Sequence, residues 1–177
     1  MTKTVLTYGL IASAITAAFM FGAMPFWKNG TITFDNGEIV GYTSMVIALS
    51  LIFFGVKSYR DKQLNGAITF GKALKVGFLI AGVAALGYAT GWEFYFNLVA
   101  PDFMEEYASF CVSKAKSEGV PAEKVQQLIA RMDQMKVMYK NPLMRFGMTM
   151  AEILPVGIVV ALVSAGLLRK KEFLPTV

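Results

Sequence analysis

NGAITFGKALKVGFLIAGVAALGYATGWEFYF, residues Asn65 to Phe96, is the stretch that decides the fold. An Asn65-Gly66 turn and a short basic lead ending at Lys75 come before an apolar run from Val76 to Phe96. As a helix that run would be about 32 Å long, which matches a hydrocarbon core of about 30 Å. Gly77, Gly82, Gly87 and Gly91 would weaken an isolated helix in water. Inside a bilayer they let neighbouring backbones approach, and Gly87-x-x-x-Gly91 has the small-residue spacing of packed spans. One acid, Glu93, stands near the far end. The stretch reads as a membrane-spanning helix.

The whole chain agrees with this reading. Of its 177 residues 55% are hydrophobic and 16% charged, with a mean hydropathy of +0.52, which is too apolar for an ordinary soluble domain. There is no histidine and a single cysteine, Cys111. That excludes an intrachain disulfide, Cys/His zinc sites, an axial haem histidine and every His-dependent triad. The methionines Met132, Met135, Met138, Met144 and Met148 read as packing material and not as a copper site. No cofactor, metal or catalytic residue is expected, and the chain is not read as an enzyme. The net charge of +5 is not a nucleic-acid signal either, because the charges fall at the ends of the apolar runs.

Four spans follow from the hydropathy pattern, at about 5–26, 39–56, 76–96 and 143–168 within a single domain, 1–177. The first is read as an uncleaved helix, since its apolar run is too long for a signal peptide and lacks a small-x-small cleavage site. Gly9, Ser13 and Ala17 form a narrow packing stripe on it. Between the first two spans, Thr31-Ile32-Thr33-Phe34 and Glu38-Ile39-Val40 flank Asp35-Asn36-Gly37, which predicts a small β-hairpin. Between the last two, 97–141 is polar and reads as a hairpin of two amphipathic helices broken at Ser117 to Pro121. In the first, Phe103, Tyr107 and Phe110 share a face. In the second, Val125, Leu128, Met132, Met135 and Tyr139 step at heptad-like intervals. The fold class is thus an all-α membrane protein with four transmembrane helices, a helical hairpin between spans 3 and 4 and a β-hairpin between spans 1 and 2.

Asn29 to Tyr42 and Asn65 to Phe78 align without gaps, with seven of fourteen positions identical. They read as two similar interfacial turns entering two helices. The run Gly41-Tyr42-Thr43-Ser44-Met45, the segment Phe53 to Lys62 and above all Asn65-Gly66-Ala67-Ile68-Thr69-Phe70-Gly71-Lys72-Ala73 resemble the bacterial membrane proteins filed as domain of unknown function 4199. The likeness in helix order covers nearly the whole chain. It implies a four-span inner-membrane protein and carries no established activity, substrate or catalytic residue.

With four spans both termini share one side. There lie nine positive residues (Lys3, Lys57, Arg60, Lys62, Lys72, Lys75, Arg169, Lys170 and Lys171) against two acids, while the other side has eight positives against ten acids. The positive-inside rule then places both termini and these basic anchors in the cytoplasm and the helical hairpin outside. Counted along their helices, Glu93 and Glu152 lie at one level beneath the outer interface, with Arg145 above Glu152. A shared polar site of Glu93, Glu152 and Arg145 is expected, with spans 3 and 4 packed through the Gly87/Gly91 face; the alternative is an interfacial salt bridge of Arg145 with Glu93 or Glu152 that only registers the helices. The expected partners are the lipid bilayer and either further copies of the chain or envelope proteins. The expected role is a structural or accessory envelope component, and the alternative is an oligomeric small-solute or ion transporter or channel using the three polar groups. A topology reporter fused after Val177 is expected to be active on the cytoplasmic side; activity only outside would overturn the placement of every loop.

Overall fold

An apolar run in lipid must satisfy every backbone N–H and C=O within itself, and this chain does so with helices alone. The computed structural model describes residues 1–169 and Leu174. Among them the helices are α1 (Thr2–Gly22), α2 (Met24–Lys28), α3 (Gly37–Leu49), α4 (Leu51–Gln63), α5 (Phe70–Leu98), α6 (Phe103–Ser117), α7 (Ala122–Lys140) and α8 (Pro142–Leu168). Four units are long and apolar enough to cross a membrane: Thr2–Lys28, Gly37–Gln63, Phe70–Leu98 and Pro142–Leu168. Each outruns its predicted span. The 29 residues of α5 measure about 44 Å, so its ends pass through both interfaces. Thr69 caps its start, and Lys72 and Lys75 lie on its first two turns.

α5 is the central helix. It packs on α1, α4 and α8, and Ala73, Val76, Ile80, Ala84, Ala85 and Ala89 are fully buried along it. Its small residues face two partners. Gly77 lies against Ala161 of α8, and Ala81 against Gly157 of α8. Gly87 lies against Ser13 of α1, and Gly91 against Met20 and Ala17. The Gly87/Gly91 face therefore meets α1 and not the fourth span, which corrects the expected pairing. The reason is helical phase: ten residues separate Gly77 from Gly87, which turns the second face about 80° from the first. The α1 stripe of Gly9, Ser13 and Ala17 fills that second face, and Ser13 Oγ donates to the Val83 carbonyl across the interface at 3.3 Å. Gly82 meets nothing within 4 Å and belongs to neither face.

The predicted β-hairpin is not formed, and there is no strand among the described residues. Residues 30–36 form a compact turn instead. The Asn36 side chain accepts from Thr33 N at 2.7 Å and donates to the Thr31 carbonyl at 3.0 Å, so side chain replaces the cross-strand ladder. Glu38-Ile39-Val40 joins α3 because it leads an apolar run that must be helical in lipid. Gly37 admits the Trp27 ring, whose Cη2 would lie 2.7 Å from an added Cβ. The two similar Asn-Gly segments both place glycine at positive φ, Gly30 at +76 and Gly66 at +83, but Asn65 is left-handed too, at +52, where Asn29 is at −91. Beyond the glycines they diverge further, Phe34 staying in the loop and Phe70 opening α5.

The bundle has two ends. At one, the Met1 ammonium donates to Gln63 Oε1 at 2.7 Å and Gln63 Nε2 to Thr4 Oγ1 at 2.8 Å, joining the start of α1 to the end of α4. At the other, α6 and α7 pack together as the expected helical hairpin and cap the bundle. Phe34 docks the 30–36 turn onto this cap, its ring 5.8, 5.6 and 5.5 Å from those of Phe103, Tyr107 and Phe110. Away from the core the spans expose Leu10, Val46, Ile47, Leu86 and Val159, the surface a lipid-embedded bundle needs.

Packing on α5 sets a contrast between its glycines. Gly87→Ala should force Ser13 away and lower stability by about 1–3 kcal/mol. Gly82→Ala, in open space, should be neutral or stabilising by up to about 1 kcal/mol. Thermal unfolding of both variants in detergent tests this, and equal effects would contradict the assigned faces.

Candidate functional site

Buried polar chemistry stands at both ends of the bundle, around Arg60 at the terminal end and around Arg145 at the cap end. α8 begins where Asn141 Oδ1 accepts from Leu143 N and Met144 N, and Pro142 supplies the first helical residue without an N–H to satisfy. That start places Arg145 in the first helical turns, 3% exposed. A cation there opposes the helix dipole, so it needs a partner. Glu93, from the last turns of α5, supplies it. Arg145 Nε donates to Glu93 Oε1 at 2.8 Å and Nη2 to Oε2 at 2.5 Å, a bidentate pair. Nη1 donates to the Tyr139 carbonyl at 3.0 Å. The guanidinium also lies over the Phe96 ring, 4.0 Å from its centroid.

Tyr139 extends this cluster into the cap. Its hydroxyl accepts from Trp92 Nε1 at 2.6 Å, and its ring packs on Phe96 and Phe103. One turn of α7 is thereby bonded to α5 and α8 at once. Burial pushes the Tyr139 hydroxyl up to about 12, so it stays neutral across the physiological range. Sequence reading named Glu93 and Arg145 but not Tyr139, Trp92 or Phe96. Tyr139 was legible as a core position of α7, while its carbonyl and hydroxyl contacts depend on how the cap folds back.

Glu152 does not join the cluster. Among the described residues its carboxylate has no hydrogen-bond or ion-pair partner. It lines a cavity of about 1300 Å³ between α1, α3, α5 and the cap, together with Tyr42, Tyr88, Trp92 and Glu38. The expected three-residue site is thus divided into a closed pair and a separate carboxylate. Glu93 and Arg145 meet because α5 and α8 pack side by side, whereas Glu152 projects to the side of α8 that faces α3 and the cavity.

Of the basic anchors, Lys62, Lys72, Lys75 and Arg169 are exposed at the terminal end and Lys57 is half-buried, bonded to Asp61 at 2.6 Å. Arg60 differs. It is fully buried, donating to Asp61 Oδ1 at 2.6 Å and to the Leu174 carbonyl at 2.5 Å. It is an internal tie and not a headgroup anchor, because its guanidinium is taken up by Asp61 and the Leu174 carbonyl. Lys170 and Lys171 lie outside the described residues.

Four apolar helical spans, with charge confined to their ends, to the Arg145–Glu93 pair and to Glu152 at the cavity, define a multi-pass helical membrane protein. The family model described as Protein of unknown function (DUF4199) matches residues 7–170, and the chain belongs to that family. No curated protein and no solved structure matches it.

The Trp92–Tyr139 bond makes a prediction. Tyr139→Phe leaves the indole N–H without its acceptor and should lower stability by roughly 1–3 kcal/mol. The raised hydroxyl adds a pH signature. Tyrosine ionises near 10 when unfolded, so its contribution is full below that pH and is lost as pH rises through about 12. Subtracting the melting profile of Tyr139→Phe from that of the unsubstituted protein should isolate a loss in that window; parallel profiles would contradict the buried hydroxyl.

Proposed function

We propose that this chain is a structural or accessory component of a bacterial cell envelope. In this reading it lies in the inner membrane with both termini in the cytoplasm, holds the α6–α7 cap on the outer face for an envelope partner or further copies of itself, and carries no catalysis of its own. The charge split between the two ends supports the orientation, since Lys62, Lys72, Lys75 and Arg169 are exposed together at the terminal end.

The observation that carries the role is the Arg145–Glu93 pair. Both charges are consumed by each other, and the arginine also bonds the backbone of α7. Such a group registers elements; removing one partner leaves a buried charge uncompensated, at a cost of roughly 3–5 kcal/mol. A transporter or channel working through Glu93, Glu152 and Arg145 would need the three to exchange along one path. Two are bound together and the third lines the cavity without a bond to either.

Glu93→Gln and Arg145→Gln should each loosen the cap, read as faster proteolysis at the Ser117–Pro121 connection, and the double variant should be less damaged than the sum of the two. Protein reconstituted into liposomes should show no proton or potassium flux above the lipid background. A saturable flux abolished by Glu93→Gln, with protease resistance of the cap unchanged, would replace this reading with transport. A photoreactive residue at Arg131, on the exposed side of α7, should give one discrete protein adduct in cells; adducts to lipid alone would remove the partner from the proposal.

A further inference from the structure

The second span is divided into α3 and α4 at Ser50, which keeps right-handed helical backbone angles and whose hydroxyl donates to the Ile47 carbonyl at 2.6 Å. Below Ser50 α4 packs on α5. Above it α3 packs chiefly on α1 and α8. The cap-end half of the bundle is therefore open between α3 and α5, and the cavity of about 1300 Å³ fills that opening. It exceeds the roughly 300–1,000 Å³ of ordinary small-molecule pockets. α6 and the 30–36 turn lie over it.

The cavity has two chemical zones. One part of its lining is aromatic, with Tyr42, Tyr88, Trp92 and Tyr95. Its charge is one-sided: six acids line it against two lysines, Lys28 and Lys114. Lys114 is already bonded to Asp35 at 2.5 Å. Glu152 stands out because it sits on a spanning helix and is exposed to the cavity, where a carboxylate needs a cation, water or a proton. Arg145, the cation nearest in sequence, is committed to Glu93. The protein thus supplies an unpaired carboxylate among aromatic rings, the combination that holds an ammonium group by charge and by cation–π contact.

We propose that this cavity binds a cationic amphiphile, a net-positive ammonium group on an apolar body that enters from the bilayer. The ammonium sits at Glu152 and the body lies along the aromatic wall. Glu38 and Glu106, both exposed and both lining the cavity, give its mouth the sign that draws a cation in. This binding site needs only the membrane-embedded fold and is independent of the accessory role proposed above.

The chain has two tryptophans, and both Trp27 and Trp92 line the cavity, so intrinsic fluorescence reports its occupancy. The protein in phosphatidylcholine nanodiscs is titrated with dodecyltrimethylammonium and with dodecyl sulfate below their micelle concentrations, with empty discs as the background. The cation should give a saturable fluorescence change and the anion none. Glu152→Gln should weaken the cation's apparent affinity by about tenfold or more, the loss of one charge-assisted contact. Equal responses to the two detergents, or an unchanged affinity in Glu152→Gln, would overturn the proposal. If Glu152→Gln does not fold, the double variant Glu38→Gln/Glu106→Gln, altered only at exposed positions, should still weaken the cation several-fold; an unchanged affinity there would overturn it equally.

Discussion

Everything in this bundle depends on how closely backbones approach α5. Lipid gives helices little hydrophobic reason to associate, so contact area and interhelical hydrogen bonds must supply the attraction. α5 meets that need with two separate small-residue faces, Gly77 and Ala81 toward α8 and Gly87 and Gly91 toward α1. Gly55 of α4 admits both Ile80 and Tyr8, so three helices cross at one glycine. Bulk at these positions would separate α1 and α8 from the centre together.

That closeness has a consequence at the cap end. Because α5 and α8 run side by side, Glu93 and Arg145 are brought within bidentate reach, and Phe96 one turn from Glu93 covers the guanidinium. Tyr139 then ties α7 to both helices through its carbonyl, ring and hydroxyl. The surface pair Lys114–Asp35, by contrast, is exposed on both sides, so the 30–36 turn is held mainly by Phe34 in its aromatic nest. The cap is docked by one buried charge pair and one aromatic cluster, and its many surface charges contribute little.

The two halves of the second span pack differently. α4 packs on α1, α5 and α8, whereas α3 packs on α1 and α8, so one span closes the terminal end and leaves the cap end open toward α5. The opening leaves Glu152 as a wall residue of the cavity.

The number of spans, the helical hairpin and the small-residue positions were legible in the sequence, because in lipid the backbone must be helical and apolar length alone marks a span. At Thr31 to Val40 the β-branched residues favour strand locally, and the same rule overrides them. Glu38-Ile39-Val40 had to follow the apolar run into α3, and Asn36 closed the turn with its own side chain. Glu93, Arg145 and Glu152 could be singled out as charges at membrane depth, yet their grouping could not. Depth follows from counting along one helix, whereas partnership depends on the rotation of each helix about its axis. Only packing sets that rotation: it turned Gly87 and Gly91 to α1, closed Arg145 on Glu93, buried Arg60 beside Asp61, and left Glu152 facing the cavity.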